Sequence, residues 1–207
     1  MNYLKIITLI VIGFYMSACS EDEPELLSVE TSTINDLQAP QSGGQGQPVS
    51  GDFVKFNFKT GQSTSSDTDW DIAFRGTTLI INGGTNTGAL DEPARSGNAA
   101  LYIANGSMAT TIAVDPSLMV QDKSTGPALP SGSNNGWYNY AGPPSHLITP
   151  IAGKVLVFRT NNGANYAKME ILSYYQGAPD NPDIMINPSR YYTFNYVYNP
   201  NPDATTF

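Results

Sequence analysis

From Phe53 onward, apolar and polar residues alternate with a period of two. That period puts successive side chains on opposite faces of an extended strand, and no helix can gather it onto one face. Val54, Phe56 and Phe58 share one side, with Lys55, Asn57 and Lys59 on the other. Trp70, Ile72 and Phe74 alternate with Asp71, Ala73 and Arg75, and Thr77 to Ile81 is a compact apolar and β-branched run closed by the turn signal Asn82-Gly83-Gly84. Leu101 and Ile103 mark a further strand, and Thr111 to Val114 another that Pro116 stops. Lys154 to Thr160, the turn Asn161-Asn162-Gly163, and Tyr166 to Tyr175 read as a hairpin. A last strand, Tyr191 to Tyr198, sets Tyr192, Phe194, Tyr196 and Tyr198 along one face. No segment carries a sustained helical stripe, and a short helical turn fits only near residues 89–98 or 116–120. The expected fold is all-β, a single antiparallel domain of about eight short strands.

Composition narrows the function classes. The 207 residues carry 10 Lys+Arg against 18 Asp+Glu, a net charge of -8, so a nucleic-acid phosphate backbone is not the expected partner. A 40% apolar content with many aromatics is not that of a disordered chain. One Cys and one His exclude an intrachain disulfide and a zinc site of Cys and His ligands. The chain has no Gly-x-Ser-x-Gly, P-loop, dinucleotide fingerprint or His-Glu-x-x-His, so no enzymatic role is expected. Asp67-Thr68-Asp69-Trp70-Asp71 has the spacing that opens an EF-hand loop. Ile72 then stands where Gly is needed and Thr78 where a bidentate Glu belongs, so the segment reads as strand.

The beginning of the chain reads as an address. Lys5 supplies a positive region and Ile6 to Tyr15 an apolar run too short to cross a bilayer. Met16-Ser17-Ala18-Cys19 resembles a bacterial lipobox, which makes residues 1–18 a lipoprotein signal peptide and Cys19 the lipidated first residue of the mature chain. Ser20-Glu21-Asp22-Glu23-Pro24-Glu25 is similar to the acidic tag of Bacteroidota lipoproteins displayed on the outer face of the outer membrane. Residues 19–50 are expected to be an acidic, flexible tether with at most one short early strand, 51–199 the β domain, and 200–207 a C-terminal tail.

Asp69-Trp70-Asp71-Ile72-Ala73-Phe74-Arg75 followed by Ile81-Asn82-Gly83-Gly84 resembles the N-terminal hallmark of the HmuY-like haem-binding lipoproteins of Bacteroidota. The second half agrees in order: Trp137-Tyr138-Asn139-Tyr140, His146 to Pro150, Val155 to Thr160, Tyr166-Ala167-Lys168, Ile171 to Tyr175, and Phe194-Asn195-Tyr196. The resemblance covers residues 50–198. It implies an all-β fold that holds haem between two loop regions, takes it from host or environmental haemoproteins, and passes it to an outer-membrane TonB-dependent transporter. Axial ligands in the family are His or Met, and this chain cannot supply two His.

His146, in a Pro-stiffened loop, is the first candidate axial ligand; Met119 and Met108, in the region 105–122, are candidates for the second. Met185 belongs to an inserted loop that sequence alone does not place, and Met169 reads as core. Trp137, Tyr138 and Tyr140 are candidates to line the haem pocket, and Lys123 to meet a propionate. The alternative is a surface lipoprotein that binds a non-haem ligand, such as a glycan, through exposed aromatics.

Overall fold

A computed structural model describes residues 25–207. The signal peptide, Cys19 and the acidic run up to Pro24 lie outside the described residues.

Two antiparallel sheets dominate. The larger contains β1 (Glu30–Gln38), β8 (Ala100–Asn105), β11 (Lys154–Arg159), β12 (Tyr166–Tyr175) and β13 (Ser189–Asn199), in the order β1-β13-β12-β11-β8. The smaller contains β4 (Val54–Asn57), β5 (Gln62–Thr64), β6 (Ile72–Arg75) and β7 (Thr78–Ile81), in the order β5-β4-β6-β7. Two strand pairs complete the set, β2 (Ser42–Gly44) with β3 (Gln47–Ser50) and β9 (Tyr138–Tyr140) with β10 (Ile148–Pro150). The only helical element among the described residues is a 3₁₀ turn, Pro116–Leu118, within one of the two stretches where sequence allowed it.

Alternation in sequence becomes two faces in space. On the inner face of the larger sheet, Leu156, Phe158, Met169, Ile171, Phe194 and Tyr196 pack against Phe56, Ile72, Phe74, Leu79 and Ile81 of the smaller one. Phe56 and Phe194 meet edge to face, centroids 5.4 Å apart at 82°, the geometry an aromatic quadrupole favours. Their in-between neighbours Val155, Val157 and Tyr166 face outward and are covered by Val114 and Phe207.

Three expectations change. Trp70 does not share a face with Ile72 and Phe74. It lies with Phe53, Ala73 and Ile80, because β6 begins only at Ile72 and the Asp67–Asp71 stretch turns before it. Thr111 to Val114 is not a strand. Ala113 makes an isolated bridge to Thr206, since the chain's own tail is the partner it meets. That tail is folded: Val114 N–H donates to Thr205 O at 2.7 Å and Phe207 N–H to Ile112 O at 2.9 Å. Finally, the stretch read as tether holds the nine-residue β1 and the β2-β3 hairpin, because β13 offers an open edge that β1 fills from Glu30↔Tyr198 to Gln38↔Tyr191.

The Asp71–Gly84 stretch ties the two sheets together. Asp71, buried, accepts from Phe58 N–H at 2.8 Å and from Asn161 N–H, in the β11-β12 turn, at 2.7 Å. Buried Asn82 accepts from the amides of Ser96 and Gly97 and donates to Thr68 O. At Gly83 a Cβ would sit 1.9 Å from Ala99 O, so only glycine lets these backbones approach. The residues most diagnostic in sequence therefore serve architecture.

Candidate functional site

The β9-β10 pair carries the only imidazole. Register Ile148↔Tyr140 to Pro150↔Tyr138 leaves residues 141–147 as the connecting loop. Ala141 N–H donates to Leu147 O and His146 N–H to Gly142 O, at 2.9 and 2.8 Å, which closes the loop on itself. Ile148 N–H donates to Tyr175 Oη at 2.9 Å, and Leu147 and Ile148 pack on the inner core, so the loop is docked onto the end of β12. His146 takes φ +50, a left-handed conformation that costs a non-glycine residue about 1 kcal/mol or more. Such strain is held where the surroundings over-determine the backbone.

His146 is exposed, and Tyr140, 41% exposed, lies beside it with ring centroids 5.9 Å apart. Tyr140 Oη is hydrogen-bonded to His146 Nδ1. In the tautomer protonated at Nδ1, that nitrogen donates to the phenol and Nε2 presents its lone pair outward. This is how a second residue orients a metal-binding imidazole.

Of the other aromatics proposed, Trp137 and Tyr138 are buried in the inner core. Trp137 Nε1–H donates to Thr77 O at 3.0 Å, and its indole packs against Tyr138, Tyr174 and Tyr192. They support the β9-β10 pair from beneath, and Trp137 is not an exposed platform for a sugar ring. Tyr140 alone of the three reaches the surface beside His146.

The methionines divide by sheet face. Met108 and Met119 are partly buried against the outer cluster of Val155, Val157 and Tyr166. Buried Lys168, on the same face, donates to Met108 O at 2.8 Å. The β9-β10 pair instead lies on the inner cluster, so the structure does not bring either Met108 or Met119 together with His146. Lys123 is exposed in the segment that follows Met119. Met169 is fully buried, as expected.

Sequence reasoning left Met185 unplaced, and the structure puts it across from the His146 loop. Pro144, Ser145 and Leu147 face Pro182, Asp183, Ile184 and Met185 over an open groove of about 390 Å³. The available signal was Ile184-Met185-Ile186 between Asn181-Pro182-Asp183 and Asn187-Pro188: an apolar triplet in a turn-rich connection has no strand face to bury it. A larger cavity of about 670 Å³ is lined by Asp52, Asp67, Asp91 and Glu92 with Lys55, and an anionic ligand would be repelled there. Among the described residues no group of three or more His, Cys, Asp or Glu side chains is placed to hold a metal ion directly.

No curated protein matches the chain. A family model described as HmuY protein matches residues 50–196, a span from just before β4 almost to the end of β13, and the chain therefore belongs to the HmuY family.

Proposed function

We propose that this protein is a cell-surface, lipid-anchored haem-binding protein that captures haem and passes it to a TonB-dependent transporter of the outer membrane, with haem as cargo and no catalysis. Family membership supports haem as the ligand class. The observation that carries the reading in this chain is His146: an exposed imidazole on a self-bonded loop, hydrogen-bonded through Nδ1 to Tyr140, whose chain neighbours Pro144, Ser145 and Leu147 line one side of a largely apolar groove. A neutral imidazole nitrogen is a good axial donor to haem iron, and the prolines, Leu147 and Ile184 offer flat apolar surface to a macrocycle. An open groove leaves one edge of the cargo accessible, as transfer to a second protein requires. Cys19 is the proposed lipidation site and lies outside the described residues.

Haemin titration of the mature chain tests this directly. The expected result is a saturable shift of the Soret band to a low-spin, six-coordinate spectrum. His146→Gly should abolish that spectrum while leaving the melting temperature unchanged or raised, because glycine adopts the left-handed backbone without strain. A wild-type chain whose spectrum does not respond to haemin would refute the function.

A further inference from the structure

We infer that the chain carries a second binding site, at the opposite end of β12 from the His146 loop, for a single neutral sugar residue. It does not depend on the haem-binding reading.

The site is a cavity of about 250 Å³ between the ends of the two sheets. Asn57 of β4, Lys59 in the turn that follows, Asp69 and Asp71 before β6, Asn161 in the β11-β12 turn and Tyr198 of β13 line it. Hydrogen bonds within the protein fix these walls. Asn57 Nδ2–H donates to Asp69 Oδ1 at 2.8 Å, and the Asn161 carboxamide donates to Thr68 O at 3.1 Å and to Asp69 Oδ1 at 3.5 Å. Asp71 is held by the amides of Phe58 and Asn161. The polar groups therefore stand in place before a ligand arrives, which lowers the ordering cost of binding.

What these bonds leave unused points to a ligand. Tyr198 is only 3% exposed and lines the cavity, yet its phenol makes no hydrogen bond among the described residues, where a buried phenol normally finds a partner. Burial, with Asp71 and Glu30 nearby, pushes that phenol up to about 12, so it stays a proton donor at neutral pH. Asp69 Oδ2 and the exposed Lys59 ammonium are likewise unpaired among the described residues.

The mixture of groups selects the ligand. A phosphate or carboxylate would meet Asp69 and Asp71, and a lone cation would face Lys59 and the Tyr198 proton. Among the described residues no three acidic, His or Cys groups converge on a metal ion. A hydroxyl both donates and accepts, so neighbouring hydroxyls of a sugar can donate to Asp69 Oδ2 and accept from Lys59 and Tyr198. The volume lies below the range of about 300–1,000 Å³ usual for larger ligands, and it suits one sugar ring.

The test is an amide NMR titration of the full mature chain with glucose, galactose and mannose, their methyl glycosides, and glycine and inorganic phosphate as charged probes. At least one neutral sugar should give saturable shifts at the amides of Phe58, Lys59, Asp69 and Asn161 and none at Ser145 or Leu147. Tyr198→Phe removes an oxygen with no partner in the protein. It should weaken sugar binding about two- to tenfold, the worth of one hydrogen bond, and leave the melting temperature and the response to haemin unchanged. His146→Gly should bind sugar like wild type. A methyl glycoside that binds like its parent would assign the site to the end of a glycan, and one that fails where its parent binds would assign it to free sugar. The inference falls if no neutral sugar moves these amides, if glycine or phosphate moves them instead, or if Tyr198→Phe binds sugar as tightly as wild type.

Discussion

Asp71 accepts two backbone amide protons, from Phe58 just after β4 and Asn161 in the β11-β12 turn, and so spans both sheets with one side chain. Burial pushes its carboxyl up to about 6, against the lowering effect of those two amides, with nearby Asp69 adding to the rise. The unfolded chain titrates near 4, so between about pH 4 and pH 6 the folded protein holds the extra proton. Stability should therefore fall as pH rises through that window and level off above it, by about 3 kcal/mol for a shift of this size. Buried Asp122, also raised by desolvation, acts in the same direction. Denaturant melts between pH 4 and pH 7 check this. Asp71→Asn should flatten Asp71's share of the slope and lower stability near pH 4 by about 1–3 kcal/mol, since a carboxamide can accept only one of the two protons without turning its own NH₂ toward the other. An unchanged slope in Asp71→Asn would refute the assignment. In sequence Asp71 is one polar position of an alternating strand; its role arises from Asn161, ninety residues further on. His146, by contrast, was legible as a candidate because it is the chain's single imidazole, whereas the phenol that orients it emerges only from the β9-β10 register.

Among the elements, β1 carries the largest departure from expectation. Its residues, Glu-Thr-Ser-Thr-Ile-Asn-Asp-Leu-Gln, are polar enough to resemble a linker, because an edge strand buries little. Only Ile34 and Leu37 pack on the core, either side of an irregularity in the register with β13. That modest contact still matters. A chain beginning at Ala39 should lose about 3 kcal/mol or more, from two apolar side chains and the strand's hydrogen bonds, and expose the edge of β13. A chain beginning at Glu25, which keeps β1, is the reference. Equal melting temperatures for the two truncations would mean that β1 contributes nothing. The β11-β12 hairpin and β13 behaved differently: their β-branched and aromatic alternation, and the Asn161-Asn162-Gly163 turn, are strong local signals, and the structure places the strands within a residue or two of where sequence puts them at most ends.

At the scale of the whole molecule, the chain enters at one end of the larger sheet and the candidate site stands at the other. Leu27 exchanges hydrogen bonds with Asn201, and Glu30 faces Tyr198, whereas Tyr175, which docks the His146 loop, pairs with Ser189 at the far end of β12. Ten-residue β12 sets these ends about 30 Å apart. If Cys19 is acylated as proposed, the groove should face away from the membrane. A fluorophore at Ser145 on vesicle-anchored protein should be quenched less by a bilayer-embedded quencher than one at Asp203; equal quenching would exclude this orientation. The sequence by itself determined the all-β class, the β11-β12 hairpin and the family, because period-two alternation and turn chemistry are written within a few neighbouring residues. Only the tertiary structure decided which loops meet. The loop that carries His146 and the β12-β13 connection meet across one groove, and Met108 and Met119 go to the outer face of the larger sheet, through strand pairing and sheet packing that no local pattern encodes.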